Sequence, residues 1–190
     1  AIPFDQQDIC ADFIVADGHK WLMSAEGLAL LYINKKHIQS LKIHQFGWHM
    51  VKHRGDYTRQ TWELAPDATR FECGSPNMLG AHALNASLSL IEEIGIHEIA
   101  TQLNNITSYL IEQLKRLSGV EIVSSEQPDN SAGIVTFRVN GLKSDELYNN
   151  LMKQNVICAC RGGGVRFSPH FYTSKLVIDN ALNIVKSFIR

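Results

Sequence analysis

Two apolar runs separated by a short polar turn constrain this chain more than any other feature. Phe13-Ile14-Val15-Ala16 leads into Asp17-Gly18-His19-Lys20-Trp21-Leu22, and Gly27-Leu28-Ala29-Leu30-Leu31-Tyr32-Ile33 follows. Runs that are continuously apolar, rather than alternating, read as strands buried on both faces. Residues 13–17 and 28–33 are therefore expected as consecutive buried strands, with Lys20 at the turn between them. A lysine held at the end of a buried strand loses water. Desolvation favours the neutral amine, which attacks carbonyl carbon. The turn is thus a candidate for covalent chemistry.

The rest of the chain alternates helix and strand. Residues 35–70 are polar and irregular, carry Gly47, Gly55 and Pro66, and are too long for a simple connection, which marks a functional or disordered loop. Residues 78–94 read as a helix with Leu79, Ala83, Ala86, Leu90 and Ile94 on one stripe, interrupted by Gly95. A second helix carries Ile99, Leu103, Ile106, Leu110, Leu114 and Leu117 at helical spacing, and Gly119 is placed to end it. Val120–Ser124 and Gly133–Val139 read as strands about the polar run Pro128-Asp129-Asn130-Ser131. Ser144–Gln154 reads as a helix with Ser144 as N-cap. Val156–Cys160 and Val165–Ser168 read as strands joined through Gly162-Gly163-Gly164. A last helix carries Leu176, Ala181, Leu182, Val185, Phe188 and Ile189. The whole is α/β, its C-terminal part a small mostly antiparallel sheet with helices on one face.

Bulk properties exclude several classes. The net charge of −1 gives no electrostatic case for nucleic acid or an anionic membrane. No apolar run is long enough to span a bilayer. The composition, 45% hydrophobic and 19% charged, is that of a globular protein, and 190 residues suffice for one core or two small ones. Cys10, Cys73, Cys158 and Cys160 form no Cys-x-x-Cys pair and read as reduced thiols of a cytoplasmic protein. Cys158 and Cys160 would share one face of a strand. His44, His49 and His53 match no zinc spacing and read as a solvated or channel-lining loop. Trp48 and Trp62 are equally suited to shaping an entrance or to anchoring the loop.

Three ordered segments carry a resemblance. Asp17-Gly18-His19-Lys20-Trp21-Leu22 after an apolar strand resembles the cofactor-lysine motif of class V aminotransferases, fold-type I enzymes of pyridoxal 5′-phosphate that include cysteine desulfurases and isopenicillin-N-epimerase-like proteins. Arg70-Phe71-Glu72-Cys73-Gly74-Ser75-Pro76-Asn77 resembles the family's Phe-Glu-x-Gly-Thr/Ser-Pro-Asn loop. Gly164-Val165-Arg166-Phe167-Ser168-Pro169-His170-Phe171-Tyr172 resembles its C-terminal arginine segment.

The resemblance implies roles. Lys20 is implied as the Schiff-base lysine, which then moves the substrate α-proton. His19 matches a histidine near the cofactor phosphate, or is a polar turn residue. Asp17 stands where desulfurases have serine. A carboxylate repels phosphate, so Asp17 is expected to turn away or to orient His19. Gly74 and Ser75 open the helix at residue 78, where amides and a hydroxyl suit a phosphate. Ser-Pro-Asn is also ordinary capping chemistry, and both readings hold together. In the family this loop serves the cofactor of the partner subunit, which implies a homodimer with shared sites. Arg166 is implied to take the substrate α-carboxylate, with Arg161 the second candidate. Desulfurases carry a catalytic cysteine after the residue matching Arg161. Gly162, Gly163 and Gly164 stand there instead, which argues against the persulfide route.

In the family roughly half of the enzyme precedes the lysine, whereas here Lys20 follows a start without Met. The chain is therefore expected to be the C-terminal portion of a fold-type I enzyme, inactive by itself. Residues 1–95 would complete the cofactor domain, 96–118 would form a linking helix, and 119–190 the small C-terminal domain. The expected activity is at the α-carbon of an amino acid, by transamination or epimerisation. A cysteine or selenocysteine lyase, or a non-catalytic dimerisation and substrate domain, is the alternative.

Overall fold

The computed structural model describes residues 1–127 and 130–189. Pro128 and Asp129, expected between two strands, lie outside the described residues. The chain divides into two compact units, Phe4–Glu93 and Ile94–Arg190, the latter joined by Ala1–Pro3.

In the first unit, β1 (Phe13–Asp17) and β2 (Ala29–Ile33) form an antiparallel pair in register from Phe13↔Ile33 to Asp17↔Ala29. Both strands fall where the apolar runs placed them, but they are not buried. Val15 is 71% and Leu31 53% exposed, and Ile33 is the buried residue of β2. The reason is strand count. Two strands alone cannot cover two faces, and among the described residues no further strand joins this sheet.

The long polar segment is held, not loose. A short helix, α1 (Gln6–Ile9), precedes β1, and the polar segment contains another, α2 (Lys35–Ile38), and 3-10 turns at Trp48–Met50 and Ala68–Phe71. Buried Arg70 donates from Nη1 to the Ile38 carbonyl at 3.1 Å and to Gln39 Oε1 at 2.7 Å. The backbone bonds Ala65 N–H to Met50 O and Lys52 N–H to Glu63 O close the loop on itself, with Met50 and Ala65 buried. His49 is buried against Arg54 and lies 3.4 Å from Glu72, so it anchors the segment, where a solvated or channel-lining loop was expected. Trp48 and Trp62 are both about half exposed.

Helix α3 (Met78–Ile94) has the expected bounds and an unexpected face. Gly80 and Leu84 are buried, whereas Leu79 is 83% exposed and Leu90 46%. Leucines occur all round this helix, so periodicity could not select one side.

The second unit is a four-stranded antiparallel sheet with helices on one face. Its strands are β3 (Val120–Ile122), β4 (Val135–Val139), β5 (Ala159–Arg161) and β6 (Gly164–Phe167), in spatial order β3-β4-β6-β5. The helices are α4 (Ile96–Lys115), α5 (Ser144–Lys153) and α6 (Lys175–Lys186). α4 and α5 pack on the sheet, and α6 packs on α4. The expected stripe of α4 is in the core: Leu103, Leu110 and Leu114 are fully buried, as are Val135, Phe137 and Val165 of the sheet. Phe137 and Phe167 meet edge to face at 5.0 Å. Burying each such side chain contributes about 1.5–3 kcal/mol.

Three local expectations shift. α4 ends at Lys115, so Gly119 (φ +84°) turns the chain into β3 rather than capping the helix. Lys143, not Ser144, is the N-cap of α5, and no side chain caps it there. In α6 the buried residues are Ile178, Leu182 and Val185, while Leu176 faces solvent. Cys158 immediately precedes β5, and all four cysteines are unpaired. Among the described residues no helix is long and apolar enough to cross a membrane.

Candidate functional site

The turn after β1 is built by Gly18. Its amide donates to Leu28 O at 3.0 Å, and a Cβ at this position would meet that oxygen at 2.9 Å. The Gly18 carbonyl accepts from Ser24 N–H at 2.8 Å, and Lys20 O accepts from Met23 N–H at 3.0 Å. His19 and Lys20 therefore stand outward on a fixed backbone. The Lys20 side chain is 64% exposed, so the burial that the desolvation argument required is absent in this chain. Its ammonium instead pairs with Asp17. That hydrogen bond first, and the lysine charge second, hold the Asp17 carboxyl below the usual carboxylate range. Asp17 turns to Lys20, a partnership that reading the sequence missed although the i, i+3 spacing carried it.

The Gly74–Asn77 loop belongs to the same unit and is tied to the lysine hairpin. Asn77 Nδ2 donates to Gly27 O at 3.1 Å, and Asn77 Oδ1 accepts from Gly80 N–H at 2.9 Å. Asn77 thus caps α3 and fixes its start to the turn that follows Lys20. Gly80 is needed for this approach, since a Cβ there would lie 2.6 Å from Asn77 Nδ2 and 3.2 Å from Leu28 Cβ. Gly74 and Ser75 are exposed, and a Cβ on Gly74 would meet nothing within 4 Å. Among the described residues the Ser75 hydroxyl and the Gly74 and Ser75 amides have no protein acceptor or donor. A hydroxyl and unpartnered amides at the start of a helix form a donor set that suits a phosphate.

Arg161 and Arg166 lie in the second unit, on the hairpin β5–β6. Arg161 pairs with Gly164 across a two-residue turn, Gly162 (φ +64°) and Gly163 (φ +80°). Both turn residues sit in the left-handed region, which glycine alone adopts freely and which matches the twist of a tight hairpin. Arg166, on β6, stands opposite Thr136 of β4 and Ala159 of β5. It is half-buried, and its Nε is buried without a hydrogen-bond partner among the described residues. An orphaned guanidinium N–H is costly and matches a carboxylate brought from outside. Arg138 escaped the sequence reading. It lies on the same sheet face, donates Nε–H to Gly163 O, and approaches Glu121 at 3.9 Å. A separate cavity of about 480 Å³ is lined by Val156, Ile157, Phe167, Val177, Ala181 and Ile184 on the helix side, away from the arginines.

Comparison with known proteins decides the family. Residues 1–175 match aminotransferase class V. The chain belongs to the class V aminotransferase family. It is 32% identical over 135 residues to a probable cysteine desulfurase of Halalkalibacterium halodurans, a match covering 71% of this chain and 32% of that protein. It is 29% identical to the uncharacterized aminotransferase YcbU of Bacillus subtilis, over 96% of this chain and 47% of YcbU. The apo cysteine desulfurase of Thermococcus onnurineus NA1 superposes with a TM-score of 0.87 at 25% identity, over 99% of this chain and 49% of that one. The cystine C-S lyase C-DES, in complex with its product cysteine persulfide, gives 0.87 at 22% identity, over 99% and 49%, and shows the shared fold. A C-DES variant has glycine covalently linked to its PLP cofactor. The chain spans half or less of the length of these relatives. Over nearly the whole of this chain the fold is that of these PLP-dependent relatives, mixed α/β with antiparallel sheets, as the fold-type I resemblance implied.

Proposed function

We propose that this chain is part of a pyridoxal 5′-phosphate enzyme acting at the α-carbon of an amino acid, with Lys20 as the lysine that holds the cofactor. The observation that carries the reading is the Gly18-His19-Lys20 turn, held by Leu28 O and Ser24 N–H, inside a family match from residue 1 to 175. The donors fit the group: a lysine amine for its aldehyde, and Ser75 with the Gly74 and Ser75 amides for its phosphate. When bound, the cofactor supplies an aldehyde for amine capture and an electron sink for the α-carbanion.

This chain's residues would do the rest. Asp17 would hold the Lys20 side chain in place at rest, through the hydrogen bond it accepts from the lysine Nζ. The Lys20 amine would hold the cofactor and would serve as the base and acid for the α-proton. His19 stands on the same turn, available to a phosphate oxygen. Arg166 takes the α-carboxylate with its unpartnered Nε–H. A homodimer in which Ser75 serves the partner's cofactor belongs to the same proposal.

Transamination and epimerisation need only these groups. The second reading, a cysteine lyase that breaks a C–S bond, is favoured by the desulfurases and the C-S lyase among the relatives. The Gly162–Gly163 turn carries no cysteine, and Cys160 precedes Arg161 on β5, so a persulfide on the turn after Arg161 is not part of either reading. Product analysis on a longer protein containing this chain, loaded with the cofactor, separates them. Alanine and the donor's keto acid, formed only when pyruvate is supplied as amino acceptor, or a D-amino acid from its L-enantiomer, supports the first reading. Pyruvate and ammonia, with sulfide from cysteine or with cysteine persulfide from cystine, support the second. Arg166→Ala should lower kcat/KM by roughly two to three orders of magnitude, the cost of removing one member of a buried charge pair. An unchanged value would remove Arg166 from the substrate.

A further inference from the structure

The strand registers assemble three arginines on one face of the sheet. Val135, Phe137, Val139, Val165 and Phe167 point to the helices and are buried. Thr136 and Arg138 on β4, and Gly164 and Arg166 on β6, alternate to the other face. Arg161 on β5 is paired with Gly164, and Phe137 on β4 with Val165. One step further along that register sets Arg138 opposite Gly164 from the other side. One row across the sheet therefore reads Arg161, Gly164, Arg138, with the outer two about 10 Å apart, two strand spacings. Arg166 is the next same-face position along β6, about 7 Å from Gly164.

Gly164 leaves bare backbone between the two guanidinium positions, and the gap is built in. A Cβ there would lie 2.5 Å from Phe137 O and 3.0 Å from Thr136 Cγ2. The charges on this face are unbalanced. Among the described residues neither Arg161 nor Arg166 has an ion-pair or hydrogen-bond partner, and the Nε of Arg166 is buried. Arg138 alone has Glu121, half-exposed and 3.9 Å away. Three guanidiniums thus face one weakly placed carboxylate. One incoming carboxylate on Arg166 would leave Arg138 and Arg161 still without an anion between them. Guanidinium forks match carboxylates two bonds at a time.

We propose that the site takes a small amino acid bearing a second carboxylate, its α-carboxylate on Arg166 and its side-chain carboxylate received by Arg138 and Arg161 across Gly164. The inference rests on the reading of Arg166 as the α-carboxylate anchor, and deepens it to a substrate class.

The test uses the 190-residue chain, ¹⁵N-labelled, titrated at low ionic strength with succinate and, separately, with propionate. Arginine Nε–H and Gly162–Gly164 amide signals report binding. Succinate should bind roughly tenfold tighter than propionate, the worth of one further charge-assisted pair. Arg161→Gln, at an exposed residue without a partner, should bring succinate to the affinity of propionate and leave propionate unchanged. Arg138→Gln should do the same with the sheet amides in place. Arg166→Gln should abolish binding of propionate and weaken succinate by about tenfold or more. Equal affinity for the two acids, or equal weakening of both by Arg161→Gln, overturns the two-carboxylate site while the Arg166 anchor stands. The same loss in Arg116→Gln, at the end of α4, would mark attraction by net charge alone and also overturns it. Binding of both acids unaffected by Arg166→Gln removes the anchor itself.

Discussion

Replacing Gly164 by alanine tests the packing that presents the arginines. The added Cβ would lie 2.5 Å from the Phe137 carbonyl oxygen and 3.0 Å from the carbonyl carbon, both backbone. No rotamer relieves this. The β4–β6 pair must open by close to an ångström, in a core where Phe137 and Val165 are fully buried. Overpacking of this kind costs about 1–3 kcal/mol. A lost ladder hydrogen bond adds about 1 kcal/mol. We expect Gly164→Ala to destabilise the second unit by about 2–4 kcal/mol. Gly141→Ala is the control in the same unit. Gly141 has φ +76° but a Cβ there meets nothing within 4 Å, so it loses only the left-handed penalty of about 1–2 kcal/mol. Urea unfolding followed by circular dichroism compares the two midpoints. A Gly164→Ala loss no larger than that of Gly141→Ala would refute the argument, because contact and not conformation is its basis.

Other consequences follow from the first unit. Asn77→Ala removes the bond from Gly80 N–H and the tie to Gly27 O, and should cost about 1–2 kcal/mol, read from the thermal midpoint. Asn77→Asp, which keeps the acceptor and loses the donor, should recover part of that loss. Acid should loosen the first unit before the second. Asp12 (Lys36), Asp17 (Lys20), Asp56 (Thr58), Glu63 (Lys52) and Asp67 (Thr69) are each held below the usual carboxylate range, chiefly by the side-chain hydrogen bond to the partner named. A depressed folded value contributes stability above the unfolded value, and that contribution fades as pH falls through the folded one. Amide exchange below pH 4 should rise first within residues 4–93, by a modest amount since these groups are exposed and screened. Mixing Ser75→Ala and Lys20→Ala subunits of a longer, active protein should restore activity if the site is shared, and no recovery despite subunit exchange would count against sharing.

Much of this fold could be read from the sequence where one signal dominated. α3 has its expected bounds, and the α4 stripe from Ile99 to Leu114 is in the core, because a single amphipathic face repeats there for about four turns. Faces were lost where apolar residues ran all round, as with Leu79 and Leu90 in α3, or where burial depends on strands that two runs cannot supply, as with Val15 and Leu31. Asp17 was read against phosphate and not against Lys20, since charge opposition is visible in sequence only after one knows which side chains share a turn. Arg138 carries no motif. Only the register that sets it beside Gly164 reveals it.

Trapping with borohydride tests the central assignment most directly. The chain is incubated with pyridoxal 5′-phosphate, reduced, digested and mapped by mass spectrometry, with Lys20→Ala in parallel. The label is expected predominantly on Lys20, despite weak overall binding, and to vanish in the variant. Label spread evenly over exposed lysines such as Lys52 and Lys143, unchanged by Lys20→Ala, would contradict the account.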